Sequence, residues 1–409
     1  MKLILKLAWR NISRNMRRSV ITIAAVTFAV LLSVVMRGMQ LGTYENNINS
    51  AVKMFTGHLQ IQHKDFKSNP ALTKSFKYDD AIKDILDNRA DEMIYTPRIY
   101  GNGLIGFNDN SSGVILFGMD PDTETKTSTI HERVKEGEFI SNDAPYDIVI
   151  GNKLAGNLNA SIGDTVVILA SCMDGSTGNM KFRIRGLSRS GSQEMDAMGV
   201  FMTLEAADEL LSMYGKITAL AISTDGLAEM DRLKPILKTE INNVQLVVLD
   251  WKDLMPELKQ MIDMDDAGGI IMLIILMIIM SFGILNTILM SVTERFKEFG
   301  IMLAIGTKKG KLVSIVIFET IFIVLLGLLV GNILAWISNY ILYLNPITFT
   351  GEIAKMYEDY GFLPILSTTM NPVIFIYTSL SVIAMSALAV IYPAFRVLKL
   401  EALKGIRYT

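Results

Sequence analysis

Four runs of the chain are apolar over the length needed to cross a bilayer core, about 20 residues. They are Ser19 to Met36, Ala267 to Val292, Leu312 to Leu344, and one within Phe362 to Phe395. Each predicts a membrane helix, placed at 19–40, 267–292, 312–344 and 371–395. The first follows a basic lead, and VVMRGMQLG offers no A-x-A-like cleavage site, so this segment is expected to stay in the membrane. Between the first two runs, over 41–266, the pattern changes. Short β-rich runs (HLQIQ, GVILFGM, DIVIG, DTVVILAS, KFRIRGL, VQLVVLD) are separated by turn residues, and helical patterns occupy AIKDILDN, TLEAADELLSMYG and MDRLKPILKTEI. A mixed α/β domain follows from that alternation. A shorter connection, 345–370, joins the third and fourth spans.

Two amphipathic stretches flank the spans. In the lead, 1–18, Leu5, Trp9, Ile12 and Met16 recur at helical spacing while Lys2, Lys6, Arg10 and Arg14 line another face, as in a helix lying in a membrane surface. Between spans two and three, 293–311, ERFKEFGIMLAIG puts Phe296, Phe299, Met302 and Leu303 on one side of a short helix and Glu294, Lys297 and Glu298 on another. Gly306 is the expected left-handed cap. WKDLMPELKQMIDMDD, ahead of span two, fits either an amphipathic helix that transmits movement or a plain connector.

Charge sets the orientation. Lys and Arg near span ends are retained on the cytoplasmic side. Lys2, Lys6, Arg10, Arg14, Arg17 and Arg18 precede span one; Arg295, Lys297, Lys308, Lys309 and Lys311 lie between spans two and three; Arg396, Lys399, Lys404 and Arg407 follow span four, in the tail 396–409. The 345–370 connection holds only Lys355. Both termini are therefore expected inside. The fold class is an α-helical membrane protein with four transmembrane helices plus a large mixed α/β extracytoplasmic domain between the first and second. The whole chain, half hydrophobic with a fifth of its residues charged and a net charge of -2, suits that division and lacks the basic footprint of nucleic-acid binding.

Candidate chemistry is sparse. His58 and His63 are five positions apart, so on a strand they face opposite sides and make a poor metal pair. Cys172, the single cysteine, has no intrachain disulfide partner. GTKKGK has three residues between its glycines instead of four and lacks the following Ser or Thr, so it is no phosphate loop. No catalytic, cofactor or metal residues are expected. Within span three, Glu319 is expected to face a protein neighbour or water, or else to reach the nearby interface. Gly327 and Gly331 form a G-x-x-x-G step for close helix packing, within the chain or with a second permease. Of the methionine-rich membrane segments, only the apolar faces of spans one and two near the outer surface suggest a place for acyl chains.

The stretch TERFKEFGIMLAIGTKKGKLVSIVIFET is similar to the loop after the second span in FtsX-like permeases of the MacB and Lol type. Their pattern E-R-x-x-E-[FI]-G-[IL]-x-x-A-[IL]-G falls on Glu294, Arg295, Glu298, Phe299, Gly300, Ile301, Ala304, Ile305 and Gly306, with Glu319 in the following span. YPAFRVLKLEALKGIRY resembles the family's tail, although Glu401 stands where Pro is usual, and LAWRNISRNMRRSVIT resembles its start. The resemblance implies a permease half of an ATP-binding-cassette transporter in the bacterial cytoplasmic membrane. A LolD/MacB-like ATPase dimer, binding ATP and Mg, would push the short cytoplasmic helix. Glu294, Arg295, Lys297 and Glu298 would meet it through charge, and Phe299, Met302 and Leu303 would fill its groove. With no Walker motif in this chain, that ATPase is expected to be a separate polypeptide.

In the outer domain, Gly118 to Pro121, Gly151 to Asp164 and Gly191 to Asp196 resemble the LolC and LolE pattern. That branch implies a lipoprotein substrate taken from membrane lipids, a second permease, identical or paralogous, and a LolA-like carrier. CMDGSTGNM stands where the branch has a proline-containing hook hairpin. MacB-like export with a periplasmic adaptor and FtsX-like regulation of a cell-wall hydrolase are the alternatives.

Overall fold

The computed structural model describes residues 2–14, 16–359 and 364–401. Expectations placed on Lys404, Arg407, Phe362 and the side chains of Lys2 and Leu5 fall outside them. The chain divides into two compact units, residues 1–43 with 262–347 and 365–409, and residues 44–261 with 348–364.

The first unit is built from helices, two of which extend past its bounds in sequence: α1 (Lys2–Arg14), α2 (Met16–Ala51), α3 (Pro256–Glu294), α4 (Phe296–Ala304), α5 (Lys309–Leu344) and α6 (Pro372–Leu398). Four of these, α2, α3, α5 and α6, are long and apolar enough to cross a membrane. α3 begins eleven residues ahead of the apolar run, at Pro256; a proline fits the first turn of a helix but pushes the residue before it out of helical conformation, and Met255 sits at φ -122°. The four helices share a core in which Val26, Val30 and Val34 meet Ile284, Ile288 and Val324. A Cβ on Gly327 would stand 2.7 Å from Val26 Cβ, and one on Gly331 2.8 Å from Val30 Cβ. The G-x-x-x-G step thus packs α5 against α2 of the same chain. α1 packs on α5, with the Trp9 ring edge-on to Phe322 at 5.7 Å and Ala8 and Ile12 buried.

The second unit is built on a ten-stranded sheet among the described residues. Met93–Phe107 and Asn110–Met119 form its long hairpin. Gly199–Thr203 runs parallel to Asn110–Met119, Asp147–Gly151 follows antiparallel, and Thr177–Ser188 lies parallel to that. Thr165–Ser171 then pairs with both Thr177–Ser188 and Met93–Phe107, so the hydrogen-bonded path through these six strands closes on itself. On the other flank Ala219–Thr224, Leu59–His63 and Leu246–Asp250 extend the sheet. Leu59 pairs with Asp250, so the strand entered after α2 lies beside the strand that leads to α3.

His58, at the start of that entering strand, is fully buried. Its Nδ1 accepts the Thr224 backbone N–H at 3.1 Å, which leaves no place there for a second proton. Burial, with Lys53 adding repulsion, pushes its pKa down to about 4 from 6.5. A depressed histidine favours the fold only while neutral: its contribution is complete above about pH 6.5 and is lost as pH falls toward 4. The α/β unit is expected to lose on the order of 3 kcal/mol through this group over that window. Thermal unfolding across pH 4–7 checks it; His58→Gln should flatten the dependence, and an unchanged slope in that variant contradicts the assignment.

Candidate functional site

The region after α3 is organised by one arginine. At Arg295 the backbone leaves helical geometry (φ -101°, ψ 10°), ending α3 and starting α4. α4 ends in a Schellman turn: the Thr307 N–H reaches Met302 O at 2.9 Å, the Gly306 N–H reaches Leu303 O at 3.0 Å, and Gly306 takes φ +95°. Phe296 and Phe299 are buried in the helical core at 6% and 0% exposure, and Met302 and Leu303 pack partly buried against it. Phe299 is therefore this chain's own core and offers no surface to a partner, contrary to the expectation for it. The outward face carries Lys297, Glu298, Ile301 and Ile305, the two isoleucines being 46% and 81% exposed.

The charges around α4 are mostly paired within the chain. Arg295 Nη1 donates to Glu319 Oε2 of α5 at 3.0 Å and its Nε to Glu298 Oε2 at 3.2 Å; its guanidinium lies 4.9 Å from the centre of the Phe299 ring. Ser291 Oγ approaches the other Glu319 oxygen at 3.4 Å. A lone carboxylate on a membrane helix is costly, so it finds a counter-charge. Glu319 finds its partner in Arg295, with side chains only 14% and 8% exposed. Arg14 Nη2 meets Glu298 Oε1 and Arg18 Nη2 meets Glu294 Oε1, each at 2.5 Å. Partial burial works against the Glu298 charge, but hydrogen bonds from Arg295 and Arg14 prevail and hold its carboxyl below the usual range. Arg295 thus reads as a brace between α4 and α5. Lys297 stays exposed, and Glu294 and Glu298 face outward while bound to the arginines of α1 and α2.

A second node in the α/β unit gave no sequence signal. A π-helical turn, Val52–Thr56, continues the α2 helix. The carbonyl of Phe55 in that turn accepts from Arg98 Nη1, and the guanidinium lies 4.3 Å from the centre of the Phe55 ring. Arg98 also makes a two-pronged pair with Glu124, Nε to Oε2 at 3.0 Å and Nη2 to Oε1 at 2.7 Å, with both side chains fully buried. Ser128 Oγ donates to the same carboxylate. Arg98 sits in mid-strand on Met93–Phe107 and Glu124 on the helix Pro121–Thr127, a separation of 26 residues that no local motif reveals. Nearby, Lys234 bridges Asp250 (2.9 Å) and Asp253 (3.0 Å), the two members of the capping box that starts the helix Trp251–Leu254.

The CMDGSTGNM tip, at the turn between Thr165–Ser171 and Thr177–Ser188, is tied to its own domain. The Met173 N–H reaches Leu211 O at 2.9 Å and Tyr214 OH donates to Asp174 Oδ2 at 3.1 Å. The Ser176 hydroxyl and N–H both donate to Asp174 Oδ1 and hold that carboxyl below its ordinary range.

Comparison with known proteins agrees with this architecture. The model of the MacB-like periplasmic core domain matches residues 19–237, and that of the FtsX-like permease C-terminal region matches 270–402. The lipoprotein-releasing system transmembrane protein LolC of Xylella fastidiosa is 26% identical over 304 residues, 72% of this chain and 73% of the relative. An uncharacterized ABC transporter permease of Methanocaldococcus jannaschii is 23% identical over 343 residues, 81% of this chain and 82% of the relative. Among solved structures, the periplasmic region of MacB from Actinobacillus actinomycetemcomitans aligns at TM-score 0.36 and 15% identity, covering 54% of this chain and 97% of that one. With one family model covering more than half of its length and the other the helices that follow, the chain belongs to the FtsX-like, MacB-type family of ABC transporter permeases.

Proposed function

We propose that this permease is a mechanical subunit whose α4 receives the stroke of a separate ATPase and whose α/β unit moves in response outside the cell membrane. ATP and Mg would be bound by that ATPase, a dimer of the LolD/MacB kind, and both termini would be cytoplasmic. The observation that carries this reading is the Arg295–Glu319 pair: a displacement of α4 strains a buried ion pair to α5 and, through Glu298 and Arg14, pulls on α1. The docking face is the outward one, Ile301 and Ile305 rimmed by Lys297 and Glu298, an apolar centre with a charged edge. Ile301→Asp, exposed and outside the core, is expected to leave the fold intact and to reduce copurification of the ATPase at least about tenfold, roughly 1.4 kcal/mol. Undiminished copurification removes α4 as the docking element.

For the substrate, the LolC relative supports lipoproteins extracted from the membrane, with a second permease completing the assembly. A LolA-like carrier is less well supported, because the tip that would serve as its hook is bound to Leu211 and Tyr214. The same observation favours a second reading, MacB-like export of peptides or amphiphiles with a periplasmic adaptor in place of that carrier. Depletion of the protein followed by membrane fractionation separates the two: lipoproteins retained in the inner membrane support release, and normal lipoprotein sorting rejects it.

A further inference from the structure

One side of the helical unit carries a groove of about 580 Å³ between α2, α3 and α6. Its walls are Leu273, Ile274 and Met277 of α3 against Ile374, Tyr377 and Met385 of α6. Along α6 it runs from Asn371 to Met385, about 21 Å at 1.5 Å per residue. A single leaflet of hydrocarbon is about 15 Å deep, half of a core of about 30 Å. The groove therefore matches one acyl chain plus the start of its headgroup region. Its two ends differ. The deep end, around Ala384 and Met385, is apolar, whereas the mouth holds Arg37 and Asn371. Arg37 Nη1 lies 2.5 Å from Asp266 Oδ1 and 2.8 Å from Gln40 Oε1, and Gln40 Nε2 in turn reaches Asp265 Oδ2 at 3.1 Å. The mouth thus holds Arg37 in a partly exposed ion pair with Asp266, which stands just beyond the groove lining, so that a headgroup carrying both signs can engage the pair from its open side.

We propose that this groove is a binding site for one zwitterionic phospholipid of the phosphatidylethanolamine class. One acyl chain lies between α3 and α6, the phosphate meets Arg37, and the ammonium meets Asp266. Charge selects this occupant: an anionic headgroup would satisfy Arg37 and be repelled by the neighbouring carboxylates, while an ammonium next to the phosphate satisfies both. Bound there, the lipid couples the outer half of α6 to α2 and α3. The inference requires a bilayer around the helices and is independent of what the transporter moves.

The test is native mass spectrometry of the full-length chain released from nanodiscs of equal phosphatidylethanolamine and phosphatidylglycerol. The wild type is expected to retain one phosphatidylethanolamine in preference to phosphatidylglycerol by about tenfold. Ala384 and Ser381 are both exposed, so Ala384→Trp or Ser381→Trp fills the groove without entering the core, and either should abolish that retention. Asp266→Asn should keep a lipid but bring the preference near unity. Ile333→Trp, on an exposed position of α5 away from the groove lining, should change nothing. Equal retention of the two lipids by the wild type, or undiminished phosphatidylethanolamine on both tryptophan variants, overturns the site.

Discussion

Glu124→Ala is expected to destabilise the α/β unit by about 3–5 kcal/mol, the cost of leaving a buried charge without its partner. Both side chains of the Arg98–Glu124 pair are fully enclosed, so solvent cannot take over when one is removed. The guanidinium would keep only the Phe55 carbonyl and the Tyr100 hydroxyl as acceptors. Because Phe55 belongs to the turn that continues α2, the loss should appear first as loosening of residues 52–56, seen in faster amide exchange there. The double variant Arg98→Met/Glu124→Leu, which removes both charges, should recover much of the stability while still releasing Phe55. A single variant that unfolds within about 1 kcal/mol of the wild type contradicts the role assigned to the pair.

Glu319→Leu is the counterpart at the other node. It leaves Arg295 enclosed with only Glu298 to answer it, and a loss of about 3 kcal/mol or more is expected in thermal unfolding of the purified protein. The effect on coupling should exceed the effect on stability. In Arg295→Leu/Glu319→Leu the charges are gone and the helices can pack, so stability should return, yet α4 has lost its tie to α5. ATP hydrolysis by the assembly should then proceed without transport. If the double variant transports at the wild-type rate, α4 does not act through this pair.

Much of this architecture was legible in the sequence for physical reasons that hold one residue at a time. Unbroken apolar runs can only be buried or face lipid, so the four long helices stood out. Alternating runs such as DTVVILAS became strands because period-two patterns bury one face. The strand Met93–Phe107 escaped that reading: Pro97 and three glycines interrupt the alternation. The structure shows why two of those glycines are there, since a Cβ on Gly101 would stand 2.7 Å from a Leu211 methyl and one on Gly103 2.8 Å from Leu169 O. At α4 the helical period placed Phe299 correctly on the apolar face, but periodicity does not say whether such a face meets the chain's own core or another protein. Here the buried helical core of the same chain supplies the answer, and the outward face is marked by Ile301 and Ile305. The Arg98–Glu124 pair is a product of tertiary folding alone and has no local signature.

The most direct test of the central claim is cross-linking from Ile305→Cys with a short bifunctional maleimide in membranes containing the complete transporter. Ile305 is 81% exposed at the end of α4, and Cys172, the single native thiol, is buried. The account predicts a product joining the permease to its ATPase, absent when the cysteine is placed instead at Val244 of the α/β unit, which is 85% exposed. An Ile305→Cys thiol that is modified from outside the cell and never joins the ATPase contradicts it.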